Sequence, residues 1–213
     1  ASFINDSGVS ATLQDQGRLL GAIDYQERLW REYPDTAEVV SSWFALAQTL
    51  LEKAPNAHQL PKEGARVPEK IAMLGRAAAT LNQFLALYPN DPLADDAAFS
   101  LCNTWLDLKG YGRVVDLSRR FTALYTNSPV LSSFQYTTAL GLFWQNDYQG
   151  ALKAARAVAE GDSADHDFAG YIVGQIFHAQ GQPAEAIEWY RKVQDTYRDA
   201  KEAAYRVLDM GDF

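Results

Sequence analysis

Histidine and cysteine are the side chains of this 213-residue sequence with the strongest potential for metal or nucleophilic chemistry, and their spacing argues against it. The histidines are His58, His166 and His178, and no two of them form an HExxH pair. Cys102 is the sole cysteine, so neither an intrachain disulfide nor a cysteine-based zinc site can form. Cys102 falls at a small-residue packing position, where we expect a buried, unreactive thiol. The sequence therefore predicts a non-enzymatic protein without catalytic residues, metal or cofactor.

Two polar runs have the residue types of a binding loop but lack its full pattern. The run Asp162–Asp167 offers carboxylates and His166, yet it lacks the glycine and closing glutamate of a calcium loop. It predicts a polar turn that caps the following helix. Gly110-Tyr111-Gly112 resembles the start of a dinucleotide loop, but no strand precedes it and the third glycine is absent. It predicts a turn between helices.

Composition limits the classes of partner. With 47% hydrophobic residues the chain can bury a real core. Nineteen basic and 27 acidic residues give a net charge of −8, which disfavours nucleic acid and anionic membranes as partners. No apolar run approaches the roughly 18 residues of a membrane span, so direct membrane insertion is not expected. The chain begins at Ala1 rather than Met, which suggests a processed or trimmed product. A protein or peptide partner fits this composition best.

Apolar residues recur at i, i+3, i+4 and i+7 through nearly every segment, and no stretch alternates with a period of two. The pattern predicts an all-α protein. Small residues that precede an apolar helix recur at intervals of 55, 37, 37 and 35 residues, at Ala22, Ala77, Val114, Ala151 and Ala186. The sequence predicts a helix C-terminus with a left-handed residue five positions before four of these anchors. The four residues are Gly17, Lys109, Asn146 and Gly181.

These offsets resemble the tetratricopeptide repeat family, whose units are about 34 residues long. The family's Trp-x2-Leu-Gly-x2-Tyr pattern is similar to Trp43, Leu46, Ala47 and Leu50, and its later positions are similar to Gly174, Phe177, Gly181, Ala186 and Tyr190. Tyr33-Pro34 and Tyr88-Pro89 match the proline that closes a unit. The sequence departs from the pattern at Val114, Ser118, Ala155 and Gly170. The resemblance covers about residues 3 to 198 and implies a right-handed α-solenoid of antiparallel helix pairs.

The predicted organisation is a single repeat domain over 1–213. Its units are 3–36, 40–91, 95–129, 132–162 and 167–198, followed by a C-terminal helix over 199–210. An insert at 54–69 contains Pro55, Pro61, Gly64 and Pro68, so it cannot be one continuous helix. The insert is either a surface loop or a partner contact.

The joins 32–36 and 87–97 are similar to those of bacterial envelope proteins with these repeats, such as outer-membrane assembly lipoproteins and Tol-Pal coordinators. This narrower resemblance implies a bacterial protein of the periplasm or cell envelope.

In this family the first helices of successive units line a concave face, so equivalent positions form ladders along it. The ladder residues predicted to bind a partner are Phe44, Gln48, Phe99, Asn103, Asp107, Tyr136, Leu140, Phe143, Trp144, Tyr171, Gln175 and His178. Family members that clamp a terminal carboxylate use Lys, Arg and Asn there; the ladders contain no Lys or Arg, so that mode is not expected. The ladders fit either an apolar peptide or a basic segment that faces Glu52 and Asp107. The alternative is that the rings pack inward without binding a partner, although the neighbours Phe143 and Trp144 cannot both face one core.

The predicted function is a protein-interaction scaffold that binds a peptide or protein on this concave aromatic face. The alternative is a repeat arm of a larger multidomain bacterial protein, acting as a spacer or self-association module. The alternative function rests on apolar residues at the C-terminus, which would favour stacking or a homo-oligomer over a helix that caps the solenoid. These residues are Tyr205, Val207, Leu208, Met210 and Phe213.

Overall fold

The computed structural model describes residues 18–33 and 37–193. Within these ranges the chain forms nine α-helices and no β-sheet, with an isolated bridge between Glu63 and Arg66. The all-α prediction is confirmed. The chain packs as two compact units, with the boundary between Leu108 and Lys109.

The first unit contains four α-helices, which are α1 (Leu19–Glu32), α2 (Ala37–Lys53), α3 (Lys70–Leu87) and α4 (Ala94–Asp107). Helix α3 packs against both α2 and α4. Its buried residues Leu74, Ala77, Leu81 and Phe84 follow the helical period, which explains why this segment is helical. Helix α3 ends just before Tyr88-Pro89, as expected because a residue that precedes proline disfavours the α conformation.

The insert joins α2 to α3 without a continuous helix, as predicted. It begins with a short 3₁₀ helix, Ala54–Gln59, that buries Ala54 and Ala57. A tight turn follows, in which Glu63 and Arg66 exchange backbone hydrogen bonds around Gly64, whose φ is 64°. The insert is therefore packed onto the first unit.

The second unit contains five α-helices, which are α5 (Tyr111–Leu124), α6 (Leu131–Trp144), α7 (Tyr148–Ala159), α8 (His166–Ala179) and α9 (Pro183–Val193). Each helix packs against the next, and α6 also contacts α8. Short connections make such neighbours antiparallel. Small residues permit the close approach of α9 to α8: a Cβ on Gly174 would overlap the Tyr190 ring, and one on Gly170 would lie 2.7 Å from Val193 Cγ1.

Three predicted left-handed helix ends are confirmed. The backbone φ angle is 57° at Lys109, 62° at Asn146 and 70° at Gly181. After α6, the Asp147 N–H donates to the Leu142 carbonyl at 3.0 Å, and after α8 the Gln182 N–H donates to the Phe177 carbonyl at 2.9 Å. These bonds are those of a Schellman motif, which satisfies carbonyls at a helix C-terminus. The spacing of the small residues thus also located the helix ends.

Several predictions lie outside the described residues: Gly17, the opening helix of the first repeat, and the C-terminal helix over 199–210 with its apolar side chains. The single-domain organisation stays a prediction. Cys102 is described and is fully buried, as expected.

Candidate partner-binding surface

Helices α6 and α8 present an aromatic face in the second unit. We define this aromatic face as Tyr136, Leu140, Phe143 and Trp144 of α6 with Phe168, Tyr171, Gln175 and His178 of α8. Helix α6 bears no charged residue, and its apolar side chains are distributed around the whole helix. Helices α5, α7 and α8 pack against it, yet Trp144 remains 55% exposed and Leu140 half-buried. The face therefore offers apolar area that the described residues do not fully cover.

Ring contacts hold the aromatic face in place. The centroids of Tyr136 and Phe168 are 6.3 Å apart, which links α6 to α8. Phe143 meets Trp144 edge-on at 5.3 Å, and Trp144 stacks on Tyr111 of α5 at 6.0 Å. Such offset and edge contacts contribute about 0.5–1.5 kcal/mol each beyond area burial. The exposed Trp144 is consequently supported on one side rather than free to rotate.

Phe168 belongs to this face, although the sequence ladders missed it. It is 43% exposed and lies three residues before Tyr171, on the same side of α8. The ladders began at the position of Tyr171 and continued only toward the C-terminus of the helix, to Gln175 and His178. The i, i+3 spacing of the two aromatic residues was the signal that would have included it.

Polar groups border the rings. The Gln175 side-chain amide donates to the Tyr171 hydroxyl at 2.8 Å, and both residues are half-buried. Beneath Tyr171 lies the fully buried Tyr190, with ring centroids 5.6 Å apart. The Tyr190 hydroxyl has no hydrogen-bond partner among the described residues. Burial, and secondarily the nearby Tyr171, raises the pKa of Tyr190 well above its ordinary value.

The acidic turn before α8 differs in one respect from the prediction. It is a polar turn, but the Asp165 side chain makes no capping bond to α8. Its Oδ2 instead accepts hydrogen bonds from the hydroxyls of Ser132 and Ser133, at 2.5 and 2.9 Å. The capping prediction is wrong, because Asp165 binds tertiary donors from α6 that a local capping rule does not include.

The predicted residues of the first unit lie on α2 and α4. Phe44 is half-buried and tilts against Phe84 of α3 at 6.3 Å, and Phe99 is half-buried on α4. Gln48, Asn103 and Asp107 are exposed. None of the twelve predicted residues in the two units is fully buried. Their role in binding stays a prediction, as does a ladder that runs through both units.

The insert forms a second polar cluster, in the first unit. Glu63 accepts hydrogen bonds from the backbone N–H groups of Leu20 and Gly21, at 2.6 and 2.8 Å, and its side chain is only 6% exposed. A carboxylate from the insert thus caps the N-terminus of α1, where the helix dipole favours an anion. Nothing in the sequence around Leu20 or Glu63 signalled this contact.

Arginine residues tie the same region together. Arg66 pairs with Asp24, while Arg76 of α3 pairs with Asp24 at 2.9 Å and with Glu27 at 2.8 Å. Burial alone would raise the pKa of Asp24, but hydrogen bonds from Arg76 and Arg66 outweigh it and lower that pKa. The hydrogen bond to Glu27 is the main cause of the raised pKa of Arg76. These pairs fasten α1 to α3 and to the insert.

Within residues 18–33 and 37–193, no cluster of three or more His, Cys, Asp or Glu side chains could hold a metal ion. Of the helices described, none combines the length and the apolar character that crossing a bilayer requires.

Comparison with solved structures decides the fold. MamA of Desulfovibrio magneticus RS-1 superposes with a TM-score of 0.63 at 14% identity, covering 92% of this chain and 96% of that one. YrrB, described as a TPR protein with an unusual peptide-binding site, gives 0.61 at 15% identity, covering 95% and 91%. TTC0263, a TPR protein of Thermus thermophilus, gives 0.56 at 14% identity, covering 97% and 99%. The chain has the tetratricopeptide repeat (TPR) fold.

The α-solenoid fold class predicted from the sequence is therefore confirmed. No family model and no curated protein matches the sequence. The similarity to solved TPR structures does not test the narrower resemblance to envelope proteins, so a bacterial periplasmic or envelope location stays a prediction.

Proposed function

We propose that this TPR protein is a non-enzymatic interaction scaffold whose aromatic face binds an apolar, uncharged segment of a partner protein. The observation that carries the proposal is helix α6, which bears no charge and has apolar side chains all around its axis, interspersed with serine, threonine and glutamine, but is incompletely covered. A helix of this composition normally lies inside a core. Burying its remaining apolar area against a partner is favourable by about 25 cal/mol per Å².

The chemistry of the face specifies the segment. Tyr136, Trp144 and Phe168 provide large rings of the kind that dominate binding energy at interfaces. Gln175 and Tyr171 offer an amide and a hydroxyl that can meet the backbone of an extended or helical peptide. Because the face contains no Lys or Arg, it has no cation to offset the desolvation of a terminal carboxylate. YrrB, of the same fold, is described as having a peptide-binding site, and we propose the same class of partner here.

The test is selection of peptides from a random library on the purified protein, followed by fluorescence anisotropy with labelled peptides. The selected peptides should be apolar and carry no net charge. Trp144→Ala and Tyr136→Ala should each weaken binding by about tenfold or more, since truncating a central aromatic residue costs about 2 kcal/mol. Circular dichroism should show unchanged helicity for both variants.

Leu124→Ala is the matched control, because Leu124 of α5 is also 55% exposed but lies outside the aromatic face. It should bind the selected peptides as tightly as the wild type does. Wild-type affinity in both aromatic variants, or selection of highly charged peptides, would show that the aromatic face is not the binding surface. The alternative function, a spacer or self-association arm, stays a prediction. Light scattering tests it by measuring whether the protein self-associates.

A further inference from the structure

The first unit contains a cleft of about 340 Å³ between α1, α2 and α3, separate from the aromatic face. Its floor consists of the buried residues Trp30, Trp43 and Thr80, and its rim includes the exposed Arg31 and Gln83. The volume lies at the lower end of the roughly 300–1,000 Å³ typical of small-ligand sites. A buried aromatic floor with a polar rim suits a ligand that has both an apolar and a polar part.

The floor contains an unpaired hydrogen-bond donor. The rings of Trp30 and Trp43 stack with centroids 3.8 Å apart and an interplanar angle of 12°. The Trp30 indole N–H donates to the Ser42 hydroxyl at 2.7 Å. Trp43 is only 5% exposed, yet its indole N–H has no partner among the described residues. A buried donor without an acceptor costs about 1–3 kcal/mol, so the floor combines aromatic surface with an unsatisfied polar group.

The charges around the cleft favour an anion. Glu27, the acidic residue of the cleft lining, is already paired with Arg76. Arg31, by contrast, makes no ion pair with any residue that the structure describes. The donors exposed at the cleft are therefore the Arg31 guanidinium and the Gln83 amide. Carboxylates accept from guanidinium groups in charge-assisted, often bidentate bonds.

An equivalent cleft in the second unit shows what is special about this one. It lies between α5, α6 and α7 and has a volume of about 250 Å³. Residues at the same offsets from the repeat anchors line both clefts: Glu27, Trp30, Trp43, Thr80 and Gln83 in the first correspond to Arg119, Thr122, Gln135, Ala154 and Ala157 in the second. A cleft forms in both units where three successive helices pack together, whereas the tryptophan floor is found in the first cleft and not in the second.

We propose that the cleft of the first unit is a binding site for a carboxylate carried by an apolar group. The carboxylate pairs with Arg31 at the rim, and the apolar group lies against the Trp30–Trp43 floor. The carboxylate can belong to a free small molecule or to the C-terminal residue of a protein. The site does not depend on the aromatic face or on its proposed partner.

The test uses N-acetyl-phenylalanine, its uncharged amide, and the tetrapeptide N-acetyl-Gly-Gly-Gly-Phe with a free C-terminus. Indole ¹H–¹⁵N resonances are followed by NMR and assigned with Trp30→Phe and Trp43→Phe. The free-acid probe should shift the Trp43 resonance saturably, and the amide should bind about tenfold more weakly because it lacks the charge-assisted bond. Tighter binding of N-acetyl-phenylalanine would indicate a small molecule, and tighter binding of the tetrapeptide would indicate a protein C-terminus.

Arg31→Gln changes one exposed residue and should weaken binding of the free-acid probe by about tenfold. Arg119→Gln, in the equivalent cleft, is the matched control and should leave that binding unchanged. Equal affinity for the acid and the amide, wild-type affinity in Arg31→Gln, or a Trp43 resonance that neither free-acid probe moves at about 10 mM would overturn the proposal.

Discussion

Removal of the Glu63 carboxylate should destabilise α1 selectively. Glu63 accepts from the N–H groups of Leu20 and Gly21 at 2.6 and 2.8 Å, in a place where its side chain is almost wholly buried. Hydrogen bonds to a charged group contribute about 1.5–3 kcal/mol, and loss of a helix N-cap costs about 0.5–2 kcal/mol. The two bonds share one carboxylate, so we expect Glu63→Ala to lower the free energy of unfolding by about 2–3 kcal/mol.

The assay combines urea denaturation with hydrogen exchange of the backbone amides. Glu63→Ala should lower the urea midpoint and speed exchange in Leu19–Glu32 more than in Lys70–Leu87. Glu63→Gln retains an acceptor but no charge, and should lose about half as much stability.

Glu69→Ala is the control, since Glu69 also lies in the insert and its side chain makes no capping bond to α3. Equal midpoints for Glu63→Ala and Glu69→Ala, with wild-type exchange rates in α1 for both, would show that the Glu63 carboxylate does not stabilise α1.

Two further predictions concern the contact between α8 and α9. Gly174→Ala should destabilise the protein by about 1–3 kcal/mol in urea denaturation, because its Cβ would overlap Tyr190. The control is Gly75→Ala, where a Cβ meets nothing within 4 Å, and it should be neutral or stabilising. Equal urea midpoints for the two variants would contradict this packing. Tyr190→Phe should raise stability at neutral pH by about 1 kcal/mol, because it removes a buried hydroxyl without a partner. Since the pKa of Tyr190 is raised on folding, the wild type should lose stability as the pH rises above about 10, where unfolded tyrosine ionises. Denaturation at several alkaline pH values should show a smaller loss in Tyr190→Phe, and an identical pH dependence would count against the raised pKa.

The helices and their ends could be predicted because the signals are local. The recurring small residues mark close helix contacts, and the positions of Lys109, Asn146 and Gly181 follow from C-terminal capping within a few residues. The carboxylates of Asp165 and Glu63 could not be assigned in the same way. Asp165 accepts from Ser132 and Ser133, more than 30 positions earlier, and Glu63 binds α1 across 43 positions. Such contacts depend on tertiary packing, which a local pattern does not encode.

The candidate sites show the same division. Spacing from the anchors indicated which side chains of α6 and α8 share a face, but strict equivalence between repeats excluded Phe168. Trp43 matched a family packing position, so the sequence suggested only a buried ring. That its indole N–H lacks an acceptor among the described residues, while that of the stacked Trp30 reaches Ser42, depends on side-chain geometry that appears only in the structure.

The cap that Glu63 provides for α1 also sets an order of events during synthesis. A ribosome completes α1 long before it reaches Glu63, so the nascent helix emerges with its first amides facing water. Short isolated helices are marginal in water, and α1 has 14 residues. Helix α1 therefore gains its full stability only after the insert has left the exit tunnel. In the first unit, α1 is the earliest of the described helices to be translated, and the residue that caps it is made after α2.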